Sequence, residues 1–199
     1  MNPTGVSAYG VLNVRVRAGL GELLNQDKYS RMNECSDLPG LVNILRETVY
    51  AQALSKADEK KANPRYLAYL IRTHLAEKFK IVADNAPKDV QPLIDQLFRL
   101  YEVDNLKATF RSLVAKDGWS KLSHLLFPMG DFQTLPYERL LAAGSVPEAI
   151  AMLDGSIYSQ PLKIALPRFL AEGNLFPIEV ILDLDRKSTR LNSSHVSQS

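Results

Sequence analysis

Residues 29–54, YSRMNECSDLPGLVNILRETVYAQAL, are the most informative part of the sequence for the architecture of the chain. A second version of this stretch, YERLLAAGSVPEAIAMLDGSIYSQPL, occupies residues 137–162. Aligned without a gap at an offset of 108, the two are identical at seven of 26 positions, where background composition would give about two. We interpret the match as an internal duplication. In the first copy the identical residues are Tyr29, Arg31, Pro39, Leu45, Tyr50, Gln52 and Leu54.

A shorter match lies upstream, at an offset of 92. The segment Tyr9–Arg15 aligns with Tyr101–Lys107, and the change of offset requires a 16-residue insertion in the second copy, which we place near residues 119–130. The sequence therefore predicts two related helical units, residues 1–100 and 101–185. Chance similarity between amphipathic helices is the alternative interpretation. It is the weaker one, because the matched tyrosine, asparagine, glutamine and proline residues are not core-pattern residues.

The hydrophobic pattern is helical along most of the chain. Residues at steps of three and four share one face of a helix, and capping residues at Asp37, Asn63 and Ser145 predict three helix starts. Pro87 is predicted to open another helix, which continues through about residue 113. Alternating, strand-like segments are scarce, so the sequence predicts an all-α fold. The first apolar stripe consists of Tyr9, Leu12, Val16, Leu20 and Leu23.

Charge and cysteine content argue against several classes of protein. The formal net charge of +2 comes from residues 186–199, which hold three basic residues and no acid, whereas the rest has 21 basic and 22 acidic residues. A near-neutral body argues against a nucleic-acid partner. The single cysteine, Cys35, favours a reducing compartment. The sequence shows no signal peptide and no apolar run of about 18 residues that would span a bilayer, so we expect membrane association only through partners.

The residues that carry catalysis in other proteins form no recognisable constellation here. Gly19-Leu20-Gly21 lies in a helical pattern and lacks the Lys-Ser/Thr of a phosphate loop. No histidine lies within one helical turn of another histidine or a cysteine, so zinc spacing is absent. Glu179, Asp183 and Asp185 fall near one turn, which suits acid–base chemistry but is more typical of an exposed helix face. The sequence predicts no catalytic, metal or cofactor site, and no enzyme.

A Tyr/Asn/basic motif opens both predicted units. In each unit the tyrosine and the asparagine lie one helical turn apart, which suits hydrogen bonds across helices, whereas the nearby cations suit contact with a partner. We favour the structural role, because residues shared by two units serve the shared architecture, and the partner-facing role stays open. The motif residues are Tyr9, Asn13, Arg15, Arg17, Tyr101, Asn105, Lys107 and Arg111.

These motifs, in this order, resemble the C subunit of the prokaryotic V/A-type rotary ATPase, whose eukaryotic counterpart is the d subunit. The resemblance begins with the Tyr9 motif, continues through Leu38-x-x-Leu41 and Leu45-Arg46-Glu47-Thr48-x-Tyr50, and returns with the Tyr101 motif. Pro128-Met129-Gly130 and Phe176-Pro177-Ile178-Glu179 follow in the expected order, so the similarity covers about residues 7–185.

The resemblance implies a funnel of three quasi-equivalent helical units, of which this chain has room for two. The second unit, residues 101–185, is therefore expected to be incomplete. After Leu182-Asp183 the family's helical pattern gives way to a serine-rich stretch. We interpret residues 186–199 as a non-native or disordered tail.

The resemblance also implies a function. A protein of this kind is a soluble, non-catalytic connector that links the central stalk to the membrane proteolipid ring and transmits the torque coupled to ion transport. It would lie at the cytoplasmic face of the membrane, with the stalk subunits and the ring as partners and with no cofactor. The alternative is an unrelated helical-repeat scaffold for protein–protein interaction, which would share the repeat but not the ordered motifs.

Overall fold

The computed structural model describes residues 5–55 and 63–184, and every regular element in these ranges is helical. The all-α prediction is confirmed. The predicted tail at 186–199 lies outside the described residues, and among the described ones no helix is long and apolar enough to cross a membrane. The helices are α1 (Gly5–Gly21), α2 (Gln26–Asn33), α3 (Leu38–Arg46), α4 (Ala51–Ser55), α5 (Pro64–Asp84), α6 (Gln91–Val114), α7 (Trp119–Leu122), a 3-10 turn (Gly130–Phe132), α8 (Tyr137–Leu141), α9 (Val146–Ala151), α10 (Ser159–Glu172) and α11 (176–184).

The chain divides into two compact units between Ile94 and Asp95, just inside α6. The boundary predicted from the duplication, between residues 100 and 101, falls in the same helix. The equivalence of the two units stays a prediction, and each unit is described by itself below.

Capping residues start three helices where the sequence predicts them. Asp37 Oδ1 accepts the Gly40 N–H at 2.8 Å at the start of α3, and Asn63 caps α5 in the same way. Ser145 Oγ accepts the Glu148 N–H at 3.4 Å at the start of α9. Asp37 and Ser145 are 108 positions apart, and a proline follows each of them two residues later. The duplicated sequence therefore begins a helix in the same way twice.

The start of α6 differs from the sequence prediction. Pro87 does not open a helix, because its carbonyl accepts the Val90 N–H at 2.9 Å to close a turn, and the helix begins only at Gln91. Pro92 gives the reason: a proline has no N–H and is tolerated in the first turn of a helix but not in its interior. From Gln91 the helix runs unbroken to Val114, so the predicted continuation through residue 113 is correct.

The first unit has a small core and leaves much of α1 uncovered. Lys78 of α5 pairs with Glu22, just beyond α1, at 2.5 Å, and α1 packs beside α5. The core is built by α3, α4 and α5 rather than by α1, and four of the five residues in the predicted α1 stripe are exposed. The buried residues of the main apolar cluster are Leu45, Leu54, Leu67 and Leu70.

The second unit buries much more apolar side chain, around α6. One face of α6, with residues at steps of three and four, is completely covered. It packs in a single cluster with side chains from the helices that follow, and such burial stabilises a fold by roughly 25 cal/mol per Å² of apolar surface. The α6 face consists of Val103, Leu106, Phe110 and Leu113, and its neighbours include Tyr137, Leu140, Ile150, Leu162, Ile178 and Leu182.

Candidate interaction surface

The motif that opens the second predicted unit holds a loop in place. Asn105, on α6, is only 2% exposed. Its Nδ2 donates to the Phe127 carbonyl at 3.0 Å, and its Oδ1 accepts the Phe127 N–H at 2.7 Å. Tyr101 lies one turn earlier and stacks on the Phe127 ring, with centroids 3.8 Å apart; burial, and then the charge of Asp104, raise the pKa of Tyr101. Two motif residues thus hold Phe127, Asn105 through its backbone and Tyr101 through its ring.

The two cations of the same motif pair with acids on α11. Lys107 Nζ lies 2.5 Å from Asp183 Oδ1. Arg111 donates through Nε and Nη2 to the two carboxylate oxygens of Glu179, at 2.6 and 2.9 Å, and this bonding raises the pKa of Arg111. The expectation of an exposed acidic face at Glu179 and Asp183 is wrong, because both carboxylates are engaged by α6 and partly buried. The third acid of that expectation, Asp185, lies outside the described residues.

A buried carboxylate on α6 was missed by the sequence analysis. Glu102 is 5% exposed, and its two oxygens accept the Tyr158 hydroxyl, at 2.7 Å, and the Thr134 hydroxyl. Burial, followed by the hydrogen bond to Glu102, raises the pKa of Tyr158 well above its ordinary value. Burial and the charge of Glu102 also raise the pKa of Tyr137. The one sequence signal was the identity of Tyr158 with Tyr50, which marks the donor but not the acceptor.

The first unit uses the same motif differently. The Tyr9 hydroxyl donates to the Asp89 carboxylate, and this hydrogen bond raises the pKa of Tyr9. Asn13, Arg15 and Arg17 are exposed, and within the described ranges none of them has a hydrogen bond or an ion pair. The motif residues of the second unit therefore find their partners within that unit, whereas most of those in the first unit face solvent.

A groove of about 470 Å³ lies between α1 and α5 in the first unit. Its lining is mainly apolar, with Val16 and Leu20 on one side and the half-buried His74 on the other. The His74 ring meets the Tyr50 ring edge to face, with centroids 5.3 Å apart. In the part of the chain that the structure describes, no group of three or more His, Cys, Asp or Glu residues could hold a metal. Apolar walls of this kind suit contact with protein side chains.

Comparison with known proteins identifies relatives along almost the whole chain. The sequence matches the family model described as ATP synthase (C/AC39) subunit over residues 12–185. It is 29% identical over 176 residues to the A-type ATP synthase C subunit of Methanosphaera stadtmanae, which is 88% of this chain and 43% of that protein. The same protein of Methanothermobacter thermautotrophicus is 29% identical over 172 residues, or 86% of this chain and 42% of the relative.

A third relative extends the match and shows the same difference in length. The A-type ATP synthase C subunit of Haloferax volcanii is 24% identical over 183 residues, which is 92% of this chain and 52% of that protein. The chain thus spans about half the length of the curated relatives it matches. Because the family match extends from residue 12 to residue 185, the chain belongs to the ATP synthase (C/AC39) subunit family, the family of the V/A-type ATPase C subunit.

Proposed function

We propose that this chain is part of a rotor connector of a V/A-type rotary ATPase, one that links the central stalk to the membrane proteolipid ring and transmits torque coupled to ion transport. Family membership and the name shared by the relatives, the C subunit of A-type ATP synthase, support a place in the motor. The role is mechanical. It requires no nucleotide, metal or cofactor from this chain, and the connector is accordingly non-catalytic.

The observation that carries the proposal is the bracing of α6. Three sets of contacts leave this helix in different directions, since successive residues are rotated by about 100°. One set is the buried apolar face, a second is the pair of hydrogen bonds from Asn105 to the Phe127 backbone, and a third is the ion pairs of Lys107 and Arg111. A helix held from three directions resists rolling and bending, and close-packed interiors are hardly compressible. Stiffness of this kind is what a torque-bearing part needs.

The partners proposed are the central-stalk subunits and the proteolipid ring. A stable interface with either would bury about 1,200–2,000 Å² in total. Because residues 1–185 are nearly neutral, recognition would depend on shape and local charge pairs rather than on a long-range field. The chain would lie at the cytoplasmic face and meet the membrane only through the ring, and nucleic acid has no place in this role.

Co-purification tests the proposal. The tagged chain is incubated with purified central-stalk subunits, with the detergent-solubilised proteolipid ring, and with both together. We expect the chain to bring the stalk and the ring down in one complex. A Phe110→Asp variant is the control, since a charge in the core of the second unit should unfold that unit and break the link between the stalk and the ring.

Three results would contradict the proposal. Retention of neither component would remove the chain from the motor and favour the free-standing helical-repeat scaffold, which the duplicated sequence also permits. Retention of one component without the other would contradict the linking role. Equal recovery of the joint complex by wild type and by the Phe110→Asp variant would show that the second unit, with its braced α6, has no part in the link.

A further inference from the structure

Corresponding faces of α1 and α6 differ sharply in burial. At the offset of 92, Val11 and Val14 on α1 correspond to Val103 and Leu106 on α6. Val103 and Leu106 are 2% and 0% exposed, whereas Val11 and Val14 are 49% and 69% exposed. Ala18, one turn further along α1, is also exposed. The first unit thus presents to solvent a stripe whose counterpart in the second unit lies in the core.

The exposed stripe has the geometry of a helix-pairing seam. Val11, Val14 and Ala18 follow one another at steps of three and four, which is the spacing of apolar positions in paired helices. At about 100° per residue, Arg15 and Arg17 lie on opposite flanks of this stripe. They are the only charged residues in α1, and neither has a partner within the described ranges. We call these five residues the α1 seam.

The second unit shows which kind of helix packs on such a face and pairs with its cations. Lys107, at the position that corresponds to Arg15, bonds Asp183 of α11. The same helix carries Glu179 one turn earlier and buries Ile178 and Leu182 against the apolar face of α6. Within the chain itself, the motif therefore packs against an amphipathic helix that carries carboxylates beside its apolar stripe.

We propose that the α1 seam binds an amphipathic helix of a partner protein, one whose apolar stripe is flanked by carboxylates. Such a helix would cover Val11, Val14 and Ala18 and pair its acids with Arg15 and Arg17, in the helix-in-groove mode of recognition. The absence of any acid from α1 selects against a basic partner, because like charges across a seam are repulsive. The inference rests on the proposed function only in that the partner helix belongs to a component of the motor.

A protein helix is favoured over a lipid surface as the occupant. Helices that lie on membranes are rich in Lys or Arg on their polar face and carry Trp, Phe or Leu on the other. The seam has two cations, and its apolar residues are valine and alanine. Small side chains of this size permit close approach of a second backbone, which benefits helix packing more than insertion among lipids.

Two synthetic peptides of about three heptads test the inference. Both have Leu and Ala along one stripe; the acidic peptide carries Glu at the flanking positions and the basic peptide carries Lys there. Binding to the 199-residue chain is measured by fluorescence anisotropy. The test variant is the double substitution Arg15→Glu and Arg17→Glu. The matched control is Arg65→Glu and Lys88→Glu, which makes the same change of net charge at exposed residues of the same unit that have no partner in the described ranges.

We expect the wild-type chain and the control to bind the acidic peptide alike, and the Arg15/Arg17 variant to bind it at least about tenfold more weakly. The variant should instead prefer the basic peptide. Circular dichroism checks that both variants keep the wild-type helix content. Binding to vesicles of equal parts phosphatidylcholine and phosphatidylserine is measured in parallel. Equal weakening of the two variants, no binding of the acidic peptide by wild type, or tighter binding to these vesicles than to the peptide would overturn the inference.

The same variants separate this inference from the proposed function. If the peptides bind as expected but the wild-type chain retains neither stalk nor ring, the proposed motor function is contradicted and the binding of a helix by the α1 seam is supported. If the wild-type chain does not bind the acidic peptide, and the stalk or the ring is retained equally by wild type and by the Arg15/Arg17 variant, helix binding by the α1 seam is contradicted and the proposed motor function is supported.

Discussion

Replacement of Asn105 by alanine should destabilise the second unit strongly. The buried amide side chain satisfies both the N–H and the carbonyl of Phe127, at 2.7 and 3.0 Å. Its removal takes both hydrogen bonds from the backbone of Phe127, which is 6% exposed, and the loss of such a bond by a buried group costs about 1–3 kcal/mol. We therefore expect a loss of about 3 kcal/mol in the free energy of unfolding, in the lower half of the range of about 2–6 kcal/mol for the pair.

Asn13 supplies the control for this substitution. It occupies the corresponding position in the first predicted unit, is exposed, and has no hydrogen bond within the described ranges. Asn13→Ala should therefore change stability by no more than about 0.5 kcal/mol. The two substitutions remove the same atoms, so their difference isolates the contacts to Phe127.

Urea unfolding is followed by tryptophan fluorescence, which reports on the second unit, and by circular dichroism, which reports on the helices of both units. Trp119 is the only tryptophan in the chain and lies in the second unit. With a denaturant dependence of about 2 kcal/mol per M, a loss of about 3 kcal/mol lowers the midpoint by roughly 1.5 M. An Asn105→Ala midpoint within about 0.3 M of wild type, or an equal effect of Asn13→Ala, would refute the reasoning.

Three further predictions concern the ion pair of Lys107, the buried Tyr158 and the α1 seam. A double-mutant cycle of Lys107→Ala and Asp183→Ala should give a coupling of about 1 kcal/mol that shrinks in high salt, and a salt-independent coupling would be contrary to an ion pair. Tyr158 has a raised pKa, so its stabilising contribution is fully present below about pH 10 and is lost as the pH rises further; Tyr158→Phe should flatten the alkaline loss of stability by up to about 1.4 kcal/mol per pH unit, and an unchanged slope would argue against this origin. Val14→Asn should leave the urea midpoint within error of wild type but weaken binding of the acidic peptide several-fold, and undiminished binding would show that the apolar part of the seam is not used.

Local chemistry explains which features of the fold the sequence could predict. Asp37, Asn63 and Ser145 cap helices through hydrogen bonds to residues three positions away, so the information lies within a single turn. The start of α6 was misplaced because Pro87 and Pro92 both suit a helix start. A helix that began at Pro87 would have Pro92 in its interior, where proline is excluded, so the helix begins beside Pro92.

The partners of the α6 side chains could not be predicted, because they lie far away in sequence. Arg111 and Glu179 are 68 positions apart, and Glu102 and Tyr158 are 56 positions apart. A lone glutamate in an amphipathic helix is ordinarily a surface residue. The burial of Glu102 depends on a hydrogen bond from the Tyr158 hydroxyl, and no residue near Glu102 in the sequence predicts that contact.

The duplication shows a related limit of sequence reasoning. Similar sequences at Tyr9–Arg15 and Tyr101–Lys107 predict similar surroundings, yet Val14 is exposed and Leu106 is buried. Periodicity specifies that a face is apolar, but it does not specify what covers that face. In the second unit the cover includes α11, and for α1 we propose a partner helix.

Rotation of the chain within the working motor distinguishes a rotor connector from a stationary part. A polarised fluorophore attached to Cys35, the single cysteine, is followed in membrane-bound motors that are supplied with ATP, alongside motors labelled on the central stalk. A rotor connector predicts that the Cys35 probe turns with the stalk, step for step. A probe that stays still while the labelled stalk rotates would place the chain on the stationary part of the machine and contradict the account.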